Sequence, residues 1–244
     1  MSDVRISRDG HVAVVEICRA PNNFFDEALI RELATVFEES DADPDIRSIV
    51  LCSEGKNFCA GANFNDPGGE PIDNVAGRLR GEHLYRQAVR LFRCRTPVVA
   101  VVQGAAIGGG LGLSLVADFR VASPESRFTA NFNRLGFHLG FGLTVTLPRV
   151  VGAQRSALMF YTGRRIDGEE AHRIGMVDVL VPEADLRTAA LGLATEIAQS
   201  APIAVVSSRR TLRDGLADAI AEAVDHELAE QEQHFRTEDF KEGE

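Results

Sequence analysis

The stretch "GAAIGGGLGLSLVADF", Gly104 to Phe119, sets three glycines in a row before an apolar run and adds a fourth at Gly112. It continues from "PVVAVVQG" (Pro97 to Gly104), a β-branched run of strand length. This order supports a strand ending at Gln103, a glycine-rich turn and an apolar helix beginning near Gly109. The first N–H groups of a helix have no acceptor within it, and glycine lets a ligand oxygen approach them closely. Such a turn can build a backbone oxyanion hole. The same glycines also suit close helix packing alone. Spacing removes several other uses. Leu113 stands where G-x-G-x-x-G needs its last glycine, no G-K-[ST] follows for a P-loop, and Val116 replaces the final glycine of G-x-S-x-G around Ser114. With neither HExxH nor an EF-hand loop present, no metal is expected.

A second segment repeats the pattern. "EGKNFCAGANF" (Glu54 to Phe64) comes after "SIVLCS" (Ser48 to Ser53) as strand, turn and small residues, so two strand ends offer bare N–H groups to one oxygen. Further out, "HVAVVEI" (His11 to Ile17) is another strand, and Asp26 caps a helix with Leu29, Ile30, Leu33 and Phe37 on its apolar face. Leu84, Ala88, Leu91 and Phe92 recur at helical spacing, "FRVAS" and "GMVDVLVP" are short strands, and Asp167 with Glu170 forms a capping box. Strands alternating with helices give an α/β class with crossover connections. From about Asp185 three helical stretches follow. The last places Leu216, Ile220, Val224, Leu228 and Phe235 on one face, which a neighbouring subunit would cover. Residues 65 to 78, rich in Pro, Gly and Asp, read as a surface loop.

The 244 residues, 45% of them hydrophobic, suffice for a substantial core. A net charge of -10 with no basic stripe argues against nucleic acid or an anionic membrane as partner. The clusters Arg90, Arg93, Arg95 and Arg209, Arg210, Arg213 read as solvated helix faces. No run approaches the roughly 18 apolar residues of a membrane span, and "MSDVRISRDG" lacks a signal core, so a cytoplasmic protein without a membrane partner is expected. Cys18, Cys52, Cys59 and Cys94 form no CxxC pair and read as reduced, mostly buried thiols.

Taken together, "NFCAGANF" and "VVQGAAIGGGLGLSLVADFRVAS" resemble the paired loops of the crotonase superfamily, the enoyl-CoA hydratase and isomerase family. The resemblance continues through "RAPNNFFDEALIREL", "LPRVVGAQRSALMFYTGRRIDGEEAHRIGMVDVLVP" and "FRTEDFKEG", nearly the whole chain. It implies a crotonase-like core of ββα turns over residues 1–190 and a C-terminal helical trimerisation region over 191–244. It also implies an acyl-CoA thioester as substrate, no cofactor beyond its CoA moiety, and a homotrimer or dimer of trimers. The thioester oxygen would lie between the N–H groups of Ala62 and Gly109, with Ile107 lining the site. CoA would meet the loop Ala20 to Phe24, including Asn23, and Ala60, Ala62 and Phe64. Arg19 is the nearest basic residue. Asp118 and Arg120 match a structural D-x-R.

The chain departs from the family where its hydratases carry two glutamates. Gly112 stands at the first position and Phe132 at the second, and a third acid position used by some members aligns with Gly140. Neither Gly112 nor Phe132 exchanges a proton, and general acid or base groups contribute about 10²- to 10⁴-fold each. His138, in "GFHLGFG", is the candidate replacement, since histidine transfers protons near neutral pH. His83 and Glu82 read as a solvated helix face, Asp66 as a loop residue, and Asn131 and Asn133 as polar groups able to orient a carbonyl. Tyr161 reads as core; Glu169, Glu170 and His172 as cap and surface. Three readings stay open: an enoyl-CoA hydratase or isomerase with an altered proton-transfer set, a thioester or C–C bond hydrolase using His138, and an acyl-CoA binder without turnover.

Overall fold

The computed structural model describes residues 2–62 and 83–243. Asn63, Phe64, Asp66, Glu82 and the segment 65 to 78 lie outside the described residues.

Two sheets organise the chain. The larger has six strands in the order β1 (Val4–Asp9), β2 (Val12–Ile17), β3 (Ser48–Ser53), β4 (Val98–Val102), β6 (Phe119–Ala122) and β9 (Val179–Leu180). Only β1 and β2 pair antiparallel; every later neighbour is parallel. The smaller sheet joins β5 (Ala105–Ile107), β7 (Arg127–Thr129) and β8 (Ile166–Asp167). β5 is a departure from the single turn expected between Gln103 and the helix. Its three residues pair in parallel with Arg127, Phe128 and Thr129, a partnership no local pattern announces. β1 escaped the sequence reading because it is a charged edge strand, exposed at every position except Val4.

The central strands are buried on both faces, as parallel strands between helices must be. Ile49, Leu51, Val98, Ala100 and Val102 point into the main core with α1 (Glu27–Ala42) and α2 (Leu84–Phe92); Val50, Cys52, Val99 and Val101 point the other way. That second face is covered by α7 (Leu186–Gln199), which offers Leu186, Ala190, Ala194 and Ala198 at four-residue intervals. Alanine at that spacing brings the helix close enough for Ser48 Oγ to donate to the Ala194 carbonyl at 2.8 Å. The division expected at residue 190 falls inside this helix. Asp26 and Asp167 cap as the sequence predicts, accepting from the N–H of Leu29 (2.9 Å) and of Glu170 (2.8 Å).

The remaining helices before α7 are α3 (Gly109–Ser114), α4 (Leu143–Val151), α5 (Ala153–Thr162) and α6 (Gly168–Arg173), and after α7 come α8 (Pro202–Leu212), α9 (Leu216–His234) and α10 (Glu238–Gly243). The apolar face of α9 is spent within its own chain, a correction to the expected neighbouring subunit. Leu216, Ile220, Val224 and Leu228 join the main core beside α2 and α4. α8 exposes large apolar side chains, with Ile203 86% and Leu212 74% exposed.

Arg209 and Arg213 of and after α8 are not solvated either. Both reach the Asp118 carboxylate, at 2.8 and 2.9 Å, and Asp118 also accepts from the Val98 N–H at 2.9 Å. Arg209 further donates to the Cys94 carbonyl. Removing one partner of such a buried set typically costs about 3–5 kcal/mol, because the remaining charges are left without compensation. Arg120 donates to the carbonyls of Met176, Ala117 and Asp118. Both residues of the D-x-R are fold residues. Tyr161, expected in the core, is 79% exposed, since α5 turns Met159 and Phe160 inward instead. All four cysteines are free, and burial pushes the thiols of Cys52 and Cys59 up to about 12. Among the described residues no single helix is long and apolar enough to cross a membrane.

Candidate active site

The two glycine-containing turns meet. Cys59 and Ala106 form a parallel bridge, the Ile107 N–H donating to the Cys59 carbonyl at 3.0 Å and the Cys59 N–H to the Ala105 carbonyl at 3.0 Å. A Cβ on Gly61, whose φ is +85°, would lie 2.9 Å from the Ile107 carbonyl oxygen and 3.7 Å from the Gly109 nitrogen. A Cβ on Gly110 would overlap the Cys59 carbonyl. Only glycine permits this closeness at both places. Gly109 is the first residue of α3, after Gly108 at φ 56°. Among the described residues neither the Gly109 nor the Ala62 N–H donates to a protein acceptor. Among the described residues, both turns therefore leave a donor without an acceptor.

The early loop closes the other side. The Phe25 N–H donates to the Gly61 carbonyl at 3.0 Å, and Phe25 bridges Ala62. Its ring lies against Gly109, where any Cβ would overlap it. Asn23, at φ 49° and fully buried, is the strut of this loop: its side chain accepts from the Arg19 N–H and donates to the carbonyls of Glu54 (2.8 Å) and Asn57 (2.7 Å). The Ala60 N–H donates to the Asn22 carbonyl at 2.9 Å, and a Cβ on Gly55 would lie 2.8 Å from the Ala20 Cβ. Ala20, Phe24 and Ala60 thus lie along the seam of two packed loops, Ala20 exposed and the others half-buried. Arg19 is engaged by Asp3 at 2.7 Å and Asp26 at 2.8 Å.

Gly112, Phe132 and Gly140, the three positions that the family resemblance pairs with acids, lie against aromatic rings. A Cβ on Gly112 would lie 2.7 Å from Cδ1 and 2.9 Å from Cβ of Phe141. A Cβ on Gly140 would overlap the ring and hydroxyl of Tyr85. Phe132 is 4% exposed, packs edge-on against Phe137 and approaches Gly108. Phe25, Phe141 and Tyr85 form a row leading away from Gly109, with ring centroids 5.4 and 6.0 Å apart. His83 is no solvated group: it is buried, edge-on to Tyr85 at 4.8 Å, and its Nδ1 accepts the Tyr85 N–H at 3.2 Å. The Asn131 side chain lies beside Gly108. Asn133 lies in the wall of a cavity of about 670 Å³ that His138 and His234 also line.

His138 stands with two other histidines, its ring centroid 5.8 Å from that of His226 and 6.3 Å from that of His234. Its Nδ1 lies 2.9 Å from the Leu139 carbonyl. Ser114 is fully buried and donates to the Leu111 carbonyl, a helix-internal role. The residues missed from sequence are Phe25, Phe141, Tyr85 and, behind them, Glu227 and Gln231. Glu227 and Gln231 continue the Ile220 and Val224 stripe of α9 at three- and four-residue steps, which is the signal that marks them as inward-facing.

Glu227 is the buried carboxyl nearest this wall. Burial pushes it up to about 6 from an ordinary 4.5, against hydrogen bonds from the Thr144 hydroxyl, the Gly142 N–H and the Thr144 N–H and the nearby His226, which all pull it down. A carboxyl raised on folding contributes stability that is fully present below about pH 4.5 and lost as the pH rises through about 6, here about 2 kcal/mol. Lowering the pH from about 7 to about 5 is therefore expected to raise the urea midpoint of the wild type relative to Glu227→Gln. Parallel pH profiles for the two proteins would contradict this.

Residues 7–244 match the family Enoyl-CoA hydratase/isomerase. A probable enoyl-CoA hydratase of Mycobacterium tuberculosis is 36% identical over 229 residues, 93% of this chain and 87% of that protein. A short-chain-enoyl-CoA hydratase of Clostridium acetobutylicum is 32% identical over 246 residues, 99% of this chain and 92% of its own. The crystal structure of an enoyl-CoA hydratase/isomerase from Pseudoalteromonas atlantica superposes with a TM-score of 0.86 at 27% identity, covering 99% of this chain and 95% of that one. With the crotonase fold, the paired glycine turns and a match along almost its whole length, the chain belongs to the enoyl-CoA hydratase/isomerase family.

Proposed function

We propose that the protein binds an acyl-CoA thioester and stabilises its enolate between the N–H groups of Ala62 and Gly109. The observation that carries this reading is that the Ala62 and Gly109 N–H groups, without an acceptor among the described residues, belong to turns so close that a Cβ on Gly61 would lie 3.7 Å from the Gly109 nitrogen. Donors fixed before the reaction stabilise charge as it develops, without reorganising. The CoA moiety lies along the seam of Ala20, Phe24 and Ala60, with Asn23 as the buried strut behind them and Phe64 assigned to the same ligand, and no further cofactor takes part. Ile107, Gly112, Phe132 and Gly140 line the acyl end.

The reaction is not the water addition of a two-glutamate hydratase. Gly112 and Phe132 carry no proton, and the ring of Phe141 fills the space beside Gly112. His138 is the titratable group assigned to proton transfer, two residues before Gly140 and three before Phe141, whose side chain lies against Gly112. The exposed apolar residues Ile203 and Leu212 of α8 support assembly into a homotrimer or a dimer of trimers.

The test compares crotonyl-CoA with its thioether analogue, in which a methylene replaces the thioester carbonyl. Calorimetry is expected to give the thioester about tenfold tighter binding, equivalent to 1.4 kcal/mol. Equal affinities would mean that the two donors do not meet the carbonyl oxygen.

A further inference from the structure

One face of α9 holds the segment His138 to Thr144. Glu227, Gln231 and His234 are spaced i, i+4 and i+7, and so line up along the helix. Glu227 accepts the Gly142 N–H at 2.9 Å and both the N–H (3.3 Å) and the hydroxyl (2.6 Å) of Thr144. Gln231 Nε2 donates to the carbonyls of His138 at 2.8 Å and Leu139 at 3.2 Å. His234 Nδ1 accepts the His138 N–H at 3.0 Å. Between these contacts lie Phe141 at φ 62° and Gly142 at φ 71°, two left-handed residues in succession. That conformation is disfavoured for a bulky L-residue, so its surroundings must impose it.

The imposed conformation directs the Phe141 side chain against Gly112 and brings Gly140 onto Tyr85. Packing alone does not call for polar residues here. Glu227 is 0% and Gln231 1% exposed, on a stripe otherwise made of Leu216, Ile220, Val224 and Leu228. Aliphatic side chains would fill the same volume without the cost of burying polar groups. They would not hold the backbone of the segment.

We propose that Glu227, Gln231 and His234 are positioning residues that fix the Phe141 ring over Gly112 and thereby set the width of the acyl pocket. The inference rests on the reading of Gly109 and Gly112 as part of an acyl-CoA site. It makes α9 the element that selects among acyl groups, although none of its three residues needs to touch the substrate.

The chain contains no tryptophan, so Phe141→Trp in the full-length protein gives a single fluorescent reporter at the wall; Tyr85→Trp serves if the first does not fold. Gln231→Ala and Glu227→Ala are expected to shift the reporter's emission to the red, and Glu227→Gln, which keeps a carbonyl acceptor, to restore most of it. Without the reporter, Gln231→Ala is expected to move the ratio of dissociation constants for butyryl-CoA and phenylacetyl-CoA about tenfold toward the bulkier ligand, with the affinity for CoA alone unchanged. Lower melting temperatures with an unmoved emission and an unmoved ratio would reduce the three residues to stability and overturn the proposal. If the wild type binds neither thioester, the acyl-CoA reading fails, and the reporter alone decides whether α9 positions Phe141.

Discussion

Replacing Gly109 by proline is expected to lower turnover of the protein's acyl-CoA substrate by about 10²- to 10³-fold, the usual effect of deleting one oxyanion donor. Proline suits the first position of a helix, where its missing N–H is not needed by the helix itself, so α3 can survive the change. A ring at this position overlaps Phe25, and a loss of activity from that collision must be told apart from the loss of the donor. The comparison is therefore made in a Phe25→Ala background, where space has been made first. Thermal unfolding checks that both proteins fold, and CoA binding checks that the seam of the two loops is intact. Turnover of the double variant equal to that of Phe25→Ala would show that the Gly109 N–H takes no part.

Crotonyl-CoA hydration, followed by loss of the enoyl absorbance, is expected to be at least about 10²-fold slower than for a two-glutamate relative assayed alongside, given what each acid contributes. Gly112→Glu alone is expected not to restore it. Its Cβ would stand within 2.7 to 3.0 Å of three Phe141 atoms, so the new carboxylate finds the ring already in its place. Gly112→Glu with Phe132→Glu and Phe141→Ala supplies both acids and the room for the first, and is expected to raise hydration by about 10²-fold over Gly112→Glu. A wild-type rate within about tenfold of the relative, or 1.4 kcal/mol in barrier, would show that another group activates water. His138→Ala would then be the variant to compare.

How much of this is legible in the amino-acid sequence depends on the range of the interaction. Local chemistry was read closely: Ser48 to Ser53 is a strand end to end, Asp26 and Asp167 cap, and the helix expected near Gly109 begins there. Each of these follows from neighbours within a few positions. β5 did not, because three residues form a strand only when Arg127 to Thr129 arrive beside them. That Gly112 and Phe132 carry no titratable group was visible. The aromatic wall beside them was not, because Phe25, Tyr85 and Phe141 come from three distant segments and meet only in the fold. Arg209 and Arg213 read as surface for the same reason: the carboxylate that draws them inward is some ninety residues away at Asp118. Glu227 and Gln231 were within reach, since their spacing places them on the apolar stripe of α9. Their polarity disguised them.

The Asp118 cluster has a mechanical meaning. α8 exposes Ile203 and Leu212, and its end is tied by Arg213 to the Val116 carbonyl and by Arg209 and Arg213 to Asp118. Val116 lies just past the C-terminal end of α3. A subunit docking on α8 would thus press on one end of a short rod whose other end carries the Gly109 N–H. Any load borne by α8 would then be transmitted along that rod to its Gly109 end.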